Sequence, residues 1–281
     1  MKKFLVILLF LLLIAGFSYL VDTTKSPHEL IGELMYFPSG IALRAGSMGY
    51  YAPLADLVWL RFIQYYGEHR LTDTQFELMY HILAILTTLD SGFIYAYTLG
   101  GLMLTHDAQR PDQAHALLKK GMYENPEEWR IPFMYAFVNY VFLQEYRVAR
   151  TYLSIAAQKP DAPDMVRRWH AFVTYSKLGD LKTGLALWID FYNDTKNPEE
   201  KSIARYYIEK IKMRLDIEYL TKKVEEFEKK HGRQPHALSE LVINAIIDSI
   251  PSEPHGGRYY LDNDSVRSTW ENDVKQHKDG D

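Results

Sequence analysis

The residues able to do chemistry are scattered and mostly fail the spacing that chemistry requires. Ten histidines invite a search for metal ligands, yet no His-x-x-x-His or His-Glu-x-x-His pair occurs and there is no cysteine. His106, Asp107, Asp112 and His115 do crowd into one loop and the helix start that follows it. A solvated turn between helices uses the same residue types, so this cluster is read first as a loop. Gly46-Ser47-Met48-Gly49 misses the Gly-x-Ser-x-Gly nucleophile elbow and has no strand-turn-helix setting around it. Gly100-Gly101 lacks the lysine and hydroxyl of a phosphate loop and sits inside a helical pattern, which points to close helix packing. Glu124, Glu127 and Glu128 surround Pro126, where acids favour the start of the next helix. No catalytic residue, metal site or cofactor is expected from these arrangements.

Composition narrows the classes further. The 281 residues are 47% hydrophobic and 24% charged, with a formal net charge of −4, enough apolar content for a core and no general pull toward nucleic acid. Absence of cysteine excludes disulfide frameworks and thiolate chemistry. At the amino end, Lys2 and Lys3 precede an apolar run, Phe4 to Val21, in which Ser18 and Tyr19 alone carry polar side-chain groups. As a helix it would reach about 27 Å, close to a bilayer's hydrocarbon thickness. It is read as a membrane-inserting segment, either an uncleaved anchor or a signal peptide ending near Gly16-Phe17-Ser18. That reading predicts a single-pass protein of a bacterial inner membrane with its body in the periplasm.

The elements that would position any site are helices. From Pro53 to about Lys230 the apolar residues recur at helical spacing, as in Phe133, Ala136, Phe137, Tyr140 and Val141, and again in Leu185, Trp188, Ile189 and Tyr192. Polar breaks separate them at Asp90-Ser91-Gly92, Asn125-Pro126, Pro160-Asp161 and Gly179-Asp180. The chain also repeats at an interval of 35 residues. Ala114, Ala149 and Gly184 keep it, as do Leu118, Leu153 and Trp188, and Gly121, Ala156 and Phe191, while Tyr140 and Tyr175 share it. A small residue, a large one four later and a third position three beyond form one helix stripe, the small residue allowing close approach.

On these residues, with Gly100, Pro126 and Pro160, the chain resembles the tetratricopeptide repeat family, whose unit is a helical hairpin of about 34 residues. The resemblance implies an all-α solenoid of three to four hairpin units over 53–198, the weakest built from Trp59 to Gly67 and Phe76 to Leu89. It further implies a concave groove lined by Met134, Val138, Val141, Trp169 and Val173, which binds a partner protein or is filled by the chain's own long helix. Residues 22–52 read as a tether that becomes structured near Met35-Tyr36-Phe37. Beyond the repeats, Pro198 to about Lys230 predicts one long helix with Glu-to-Lys pairs on its wet side. Pro235 to Ile247 then predicts a short helix, and Tyr259 to Arg267 a short β-hairpin, followed by a polar, disordered tail from Ser268. His231-Gly232, Pro235, Leu238, Glu240-Leu241-Val242, Pro251, Pro254 and Gly256-Gly257 are similar to the carboxyl half of type II secretion pseudopilins and related pilin-like proteins.

The function expected from this reading is a membrane-tethered, extracytoplasmic scaffold or adaptor for other proteins, in assembling a secretion or pilus-like envelope complex. The alternatives are a membrane-bound enzyme or accessory subunit acting on envelope glycans or lipids, and a structural protein whose pilin-like end polymerises.

Overall fold

The structure is a computed structural model that describes residues 39–263 and 265–270, together with Leu12 and Gly16. Among the described residues it is mostly helical, with one two-stranded antiparallel hairpin near the carboxyl end. It divides into two compact units, Met1–Val138 and Asn139–Asp281.

Unit 1 contains α1 (Gly40–Gly46), α2 (Tyr51–Leu71), α3 (Met79–Leu89), α4 (Ile94–His106), α5 (Pro111–Glu124) and α6 (Arg130–Val138). Helices consecutive in the chain pack on one another from α2 onward, and α1 lies on α3. Helix α2 buries the stripe Ala55, Val58, Phe62, Tyr65 and His69, one residue per turn of the same face. Helix α3 is mostly apolar and buries seven of its eleven residues, the expected fate of a helix with neighbours on several sides, while His81 stays exposed. Glycines make the contacts tight. A Cβ on Gly100 would meet Leu83 at 2.8 Å and Leu117 at 2.9 Å, and one on Gly121 would meet the Tyr97 ring at 2.6 Å. The Gly100-Gly101 pair therefore serves helix packing, as its sequence context implied.

Unit 2 opens with a π-helical turn, Asn139–Leu143, and continues with α7 (Tyr146–Ala157), α8 (Asp164–Phe172), a second π-helical turn (Val173–Lys177) and α9 (Leu181–Asp194). Asp180 caps α9 by accepting from the Thr183 N–H at 3.1 Å. Then comes α10 (Pro198–His231), started by Asn197 accepting from the Glu199 N–H at 2.9 Å and by Pro198 in its first turn. Gly232, at φ 68°, stops it in the left-handed conformation that glycine adopts without steric cost. Helix α10 packs along α9 and buries two clusters. Its first half joins Tyr175, Trp188 and Phe191, with Tyr207 stacked on Trp188 at 4.5 Å. Its second half, through Leu220, Val224 and Phe227, holds α11 (Ser239–Ile243) and the hairpin of β1 (Tyr259–Asp262) and β2 (Ser265–Ser268). The hairpin pairs Tyr259 with Ser268 and Leu261 with Val266.

A structural period matches the one in the sequence. Thr74, Gln109, Gln144 and Gly179 are each left-handed, at φ 56°, 55°, 56° and 67°, and are 35 residues apart. The backbone N–H groups of Arg110, Glu145 and Asp180 each donate to the carbonyl six residues earlier, at 2.7, 2.9 and 3.1 Å. These left-handed residues turn the chain between one helix and the next. The sequence stripe is equally regular, since Ala114, Leu118, Ala149, Leu153, Ala156, Trp188 and Phe191 are all buried.

Three expectations require correction. No helix among the described residues is long and apolar enough to cross a membrane, so the transmembrane and signal-anchor reading is withdrawn. Its segment, residues 4–21, lies outside the described residues except for Leu12 and Gly16. Within residues 22–52, Ser39 caps α1, which Gly40 lets sit against Ile85 and Thr88. The short helix after Pro235 is confined to Ser239–Ile243. Finally, Ser268 is not the start of a disordered tail but a buried residue of β2, and residues 271–281 lie outside the described residues.

Candidate functional site

The five residues expected to line a groove have different surroundings. Met134 and Val138 belong to unit 1, and Val141, Trp169 and Val173 to unit 2. Val138 and Val173 are fully buried and cannot line an open groove, because each falls on the inward stripe of its helix. Met134 is half-buried and Val141 exposed. Trp169 packs against Tyr140 with ring centres 5.2 Å apart, and Tyr140 meets Tyr146 edge-on at 5.6 Å. The Lys177 ammonium lies 5.3 Å from the Tyr146 ring centre and 5.8 Å from that of Tyr140. Within unit 2, Trp169 thus belongs to an aromatic cluster built by the two π-helical turns and the helices beside them, and Val141 lies next to Tyr140 in the first of those turns.

The suspected metal cluster is not assembled. Asp107 is taken by Arg70, by the Tyr66 hydroxyl at 3.2 Å and by His106 at 3.0 Å. His115 instead stacks on Tyr135 with ring centres 4.5 Å apart, and burial, then Lys119, lowers its pKa. Among the described residues no group of three or more His, Asp or Glu side chains is placed to hold a metal ion. Ser47 donates to the Arg44 carbonyl at 2.7 Å as a helix-end contact.

Among the described residues, each unit has a concave feature of several hundred Å³. In unit 1 an apolar depression of about 490 Å³ runs along α2 between Leu54, Leu57, Leu60, Arg61 and Gln64. Leu57 and Leu60 are exposed there, on the face of α2 away from its buried stripe. In unit 2 a pocket of about 460 Å³ lies where α7, α8 and α9 converge, lined by Lys159, Asp161, Arg167, His170 and Asp190 among others. His170 stands against it as a neutral imidazole, its pKa lowered to about 4 by burial and then by Arg150. Arg167 is paired with Asp194 at 2.6 Å, and Asp161 is left-handed at φ 57°. No short sequence pattern announces this pocket, since its charged groups come from α8, α9 and the loop between α7 and α8.

Polar order also marks the carboxyl cap. The buried Glu253 carboxylate accepts from the backbone N–H groups of His255 and Gly257, each at 2.8 Å, and from the Ser268 hydroxyl at 3.2 Å. His255 stacks on Trp270 at 3.8 Å, and the Tyr259 hydroxyl donates to Asp216 of α10 at 2.9 Å. Burial raises the pKa of Asp216, and burial with the nearby Asp216 raises that of Tyr259. Glu253 thus organises this turn, and the cap meets α10 through Tyr259 at Asp216 and through His255, whose Nδ1 lies 3.6 Å from Glu209.

No family model matches the chain, and no curated protein is significantly similar to it.

Proposed function

We propose that the protein is a scaffold of tetratricopeptide-type helical hairpins that binds other proteins through a pre-formed surface. The observation that carries this reading is the coincidence of two 35-residue periods, one in buried side chains and one in left-handed turn residues. Repeated hairpins of this kind bury a continuous core between neighbours and present an extended, rigid face, so a partner that docks loses little ordering entropy. The glycine contacts at Gly100, Gly121 and Gly184 support it, because they lock successive helices at short range instead of leaving room for a substrate. The long helix α10 covers the last hairpin through Arg168–Glu200 at 2.8 Å and Phe172–Tyr207, which favours filling of the groove at that end.

One observation favours a second reading, an enzyme or accessory subunit: the polar pocket beside neutral His170. The experiment that separates the two places a photo-crosslinking residue at Val141 or Met134 in cells, identifies the captured protein, and measures its affinity for the purified chain. The scaffold reading requires one recurrent partner with saturable binding. It fails if no such partner binds, or if binding survives replacement of the aromatic cluster yet is lost on His170→Ala.

A further inference from the structure

We infer that Tyr192 is a phosphoryl-modification site, at which the hydroxyl oxygen takes a phosphoryl group that Lys201 and Arg205 then hold. Tyr192 lies in the last turn of α9, and the Arg205 guanidinium donates to its hydroxyl at 3.1 Å. Lys201 and Arg205 are one turn apart near the start of α10 and flank the same ring, the Lys201 ammonium 5.4 Å and the Arg205 guanidinium carbon 5.8 Å from its centre. Among the described residues neither cation has a carboxylate oxygen within ion-pair distance, Glu209 acting on Arg205 from beyond it, although Asp and Glu engage Arg70, Arg130, Arg167 and Arg168. Two like charges at this spacing repel unless an anion lies between them.

The hydroxyl itself reports the resulting field. The hydrogen bond from Arg205, then the charges of Arg205 and Lys201, lower the Tyr192 pKa. Tyr65, Tyr97, Tyr207 and Tyr259 are shifted the opposite way, by burial. The transfer balances simply. The Tyr192 oxygen forms a bond to phosphorus, the bond from phosphorus to the leaving group breaks and its electron pair departs with that group, and the phenolic proton goes to solvent. In a cell the donor would be a nucleoside triphosphate delivered by a phosphotransferase, leaving the diphosphate. The two cations would stabilise charge developing on the phosphoryl oxygens and then the dianionic product. This site is independent of the scaffold reading.

Diisopropyl fluorophosphate, whose leaving group is fluoride, tests the site on the intact chain. The internal standard is Tyr123, which is 84% exposed. Peptide mass spectrometry should show Tyr192 labelled about tenfold faster than Tyr123, the gain from pre-placed cations discounted for exposure. The double variant Lys201→Met, Arg205→Met should bring Tyr192 down to the Tyr123 rate. Equal rates in the parent chain, or an undiminished rate in the double variant, would overturn the inference. A second readout does not depend on reactivity. With phosphotyrosine genetically encoded at 192, ³¹P resonance should place the second phosphate ionisation below the usual value of about 6. An unshifted value would equally sink it.

Discussion

At the scale of single residues, the tightness of the hairpins has measurable consequences. A Cβ on Gly184 would lie 2.8 Å from the Tyr175 Cβ and 3.1 Å from its Cα. Backbone atoms cannot swing aside as a side-chain tip can, so the overpacking outweighs the better helix propensity of alanine. Gly184→Ala is expected to destabilise the chain by about 1–2 kcal/mol. Gly67→Ala should do the reverse, gaining about 0.5–1 kcal/mol, because nothing lies within 4 Å of that position on α2. Denaturant titration of the pair distinguishes packing from propensity, and a similar response at both sites would refute the packing account. His170 gives a pH dependence. Its folded pKa of about 4 lies below the model-compound value of 6.5, so the proton binds preferentially to the unfolded chain. The associated stability is intact above pH 6.5 and is lost as pH falls toward and through 4, by about 3 kcal/mol at most. His170→Phe should flatten this part of the stability profile, as measured by urea unfolding between pH 7 and pH 4.

At the scale of elements, the connections between helices obey one backbone rule with different side chains. Three of the four left-handed turn positions hold Thr74, Gln109 and Gln144, and only the fourth holds glycine, Gly179. A side chain bearing Cβ pays about 1–2 kcal/mol there, more than the extra chain entropy glycine loses on folding. Gln144→Gly is therefore expected to stabilise by about 0.5–1 kcal/mol and Gly179→Ala to cost about 1 kcal/mol. Thermal melts of the two variants should move in opposite directions, and a fall for Gln144→Gly would show that its side chain compensates. The period was visible in the buried stripe, but the left-handed turns were not, because glutamine and threonine carry no sequence mark of positive φ. The two π-helical turns were hidden for a similar reason. Asn139–Leu143 and Val173–Lys177 read as ordinary helix, and the wider turn places Asn139 and Thr174 in the interior.

For the whole molecule, Trp169 is the residue that connects folding with the proposed function. It packs on Tyr140 within unit 2 and lies on the expected partner face. If the surface is open, Trp169→Ala should weaken partner binding by roughly tenfold or more, as truncation of an aromatic anchor does. If α10 already fills the groove there, the variant should instead lower the melting temperature while binding persists. A variant unchanged in both properties would remove Trp169 from either role.

Much of the architecture follows from local chemistry that the chain carries openly. Apolar residues at steps of three and four make helices wherever they occur, and Asp180, Asn197-Pro198 and Gly232 mark helix ends by capping geometry that needs no tertiary partner. The 35-residue stripe similarly dictates which face turns inward. What the sequence alone left open is which of the remaining side chains meet. Val138 and Val173 read like Met134 and Val141, yet packing buries the first two and leaves the others at the surface to different degrees. His106 and His115, close in sequence, were drawn to Asp107 and Tyr135, while Arg167 and His170 of α8 were brought around one pocket with Asp190 of α9. Helix periodicity is set by neighbours three and four residues away, whereas a pocket or a Tyr192–Arg205 contact depends on how helices are laid beside one another, and only the folded chain decides that.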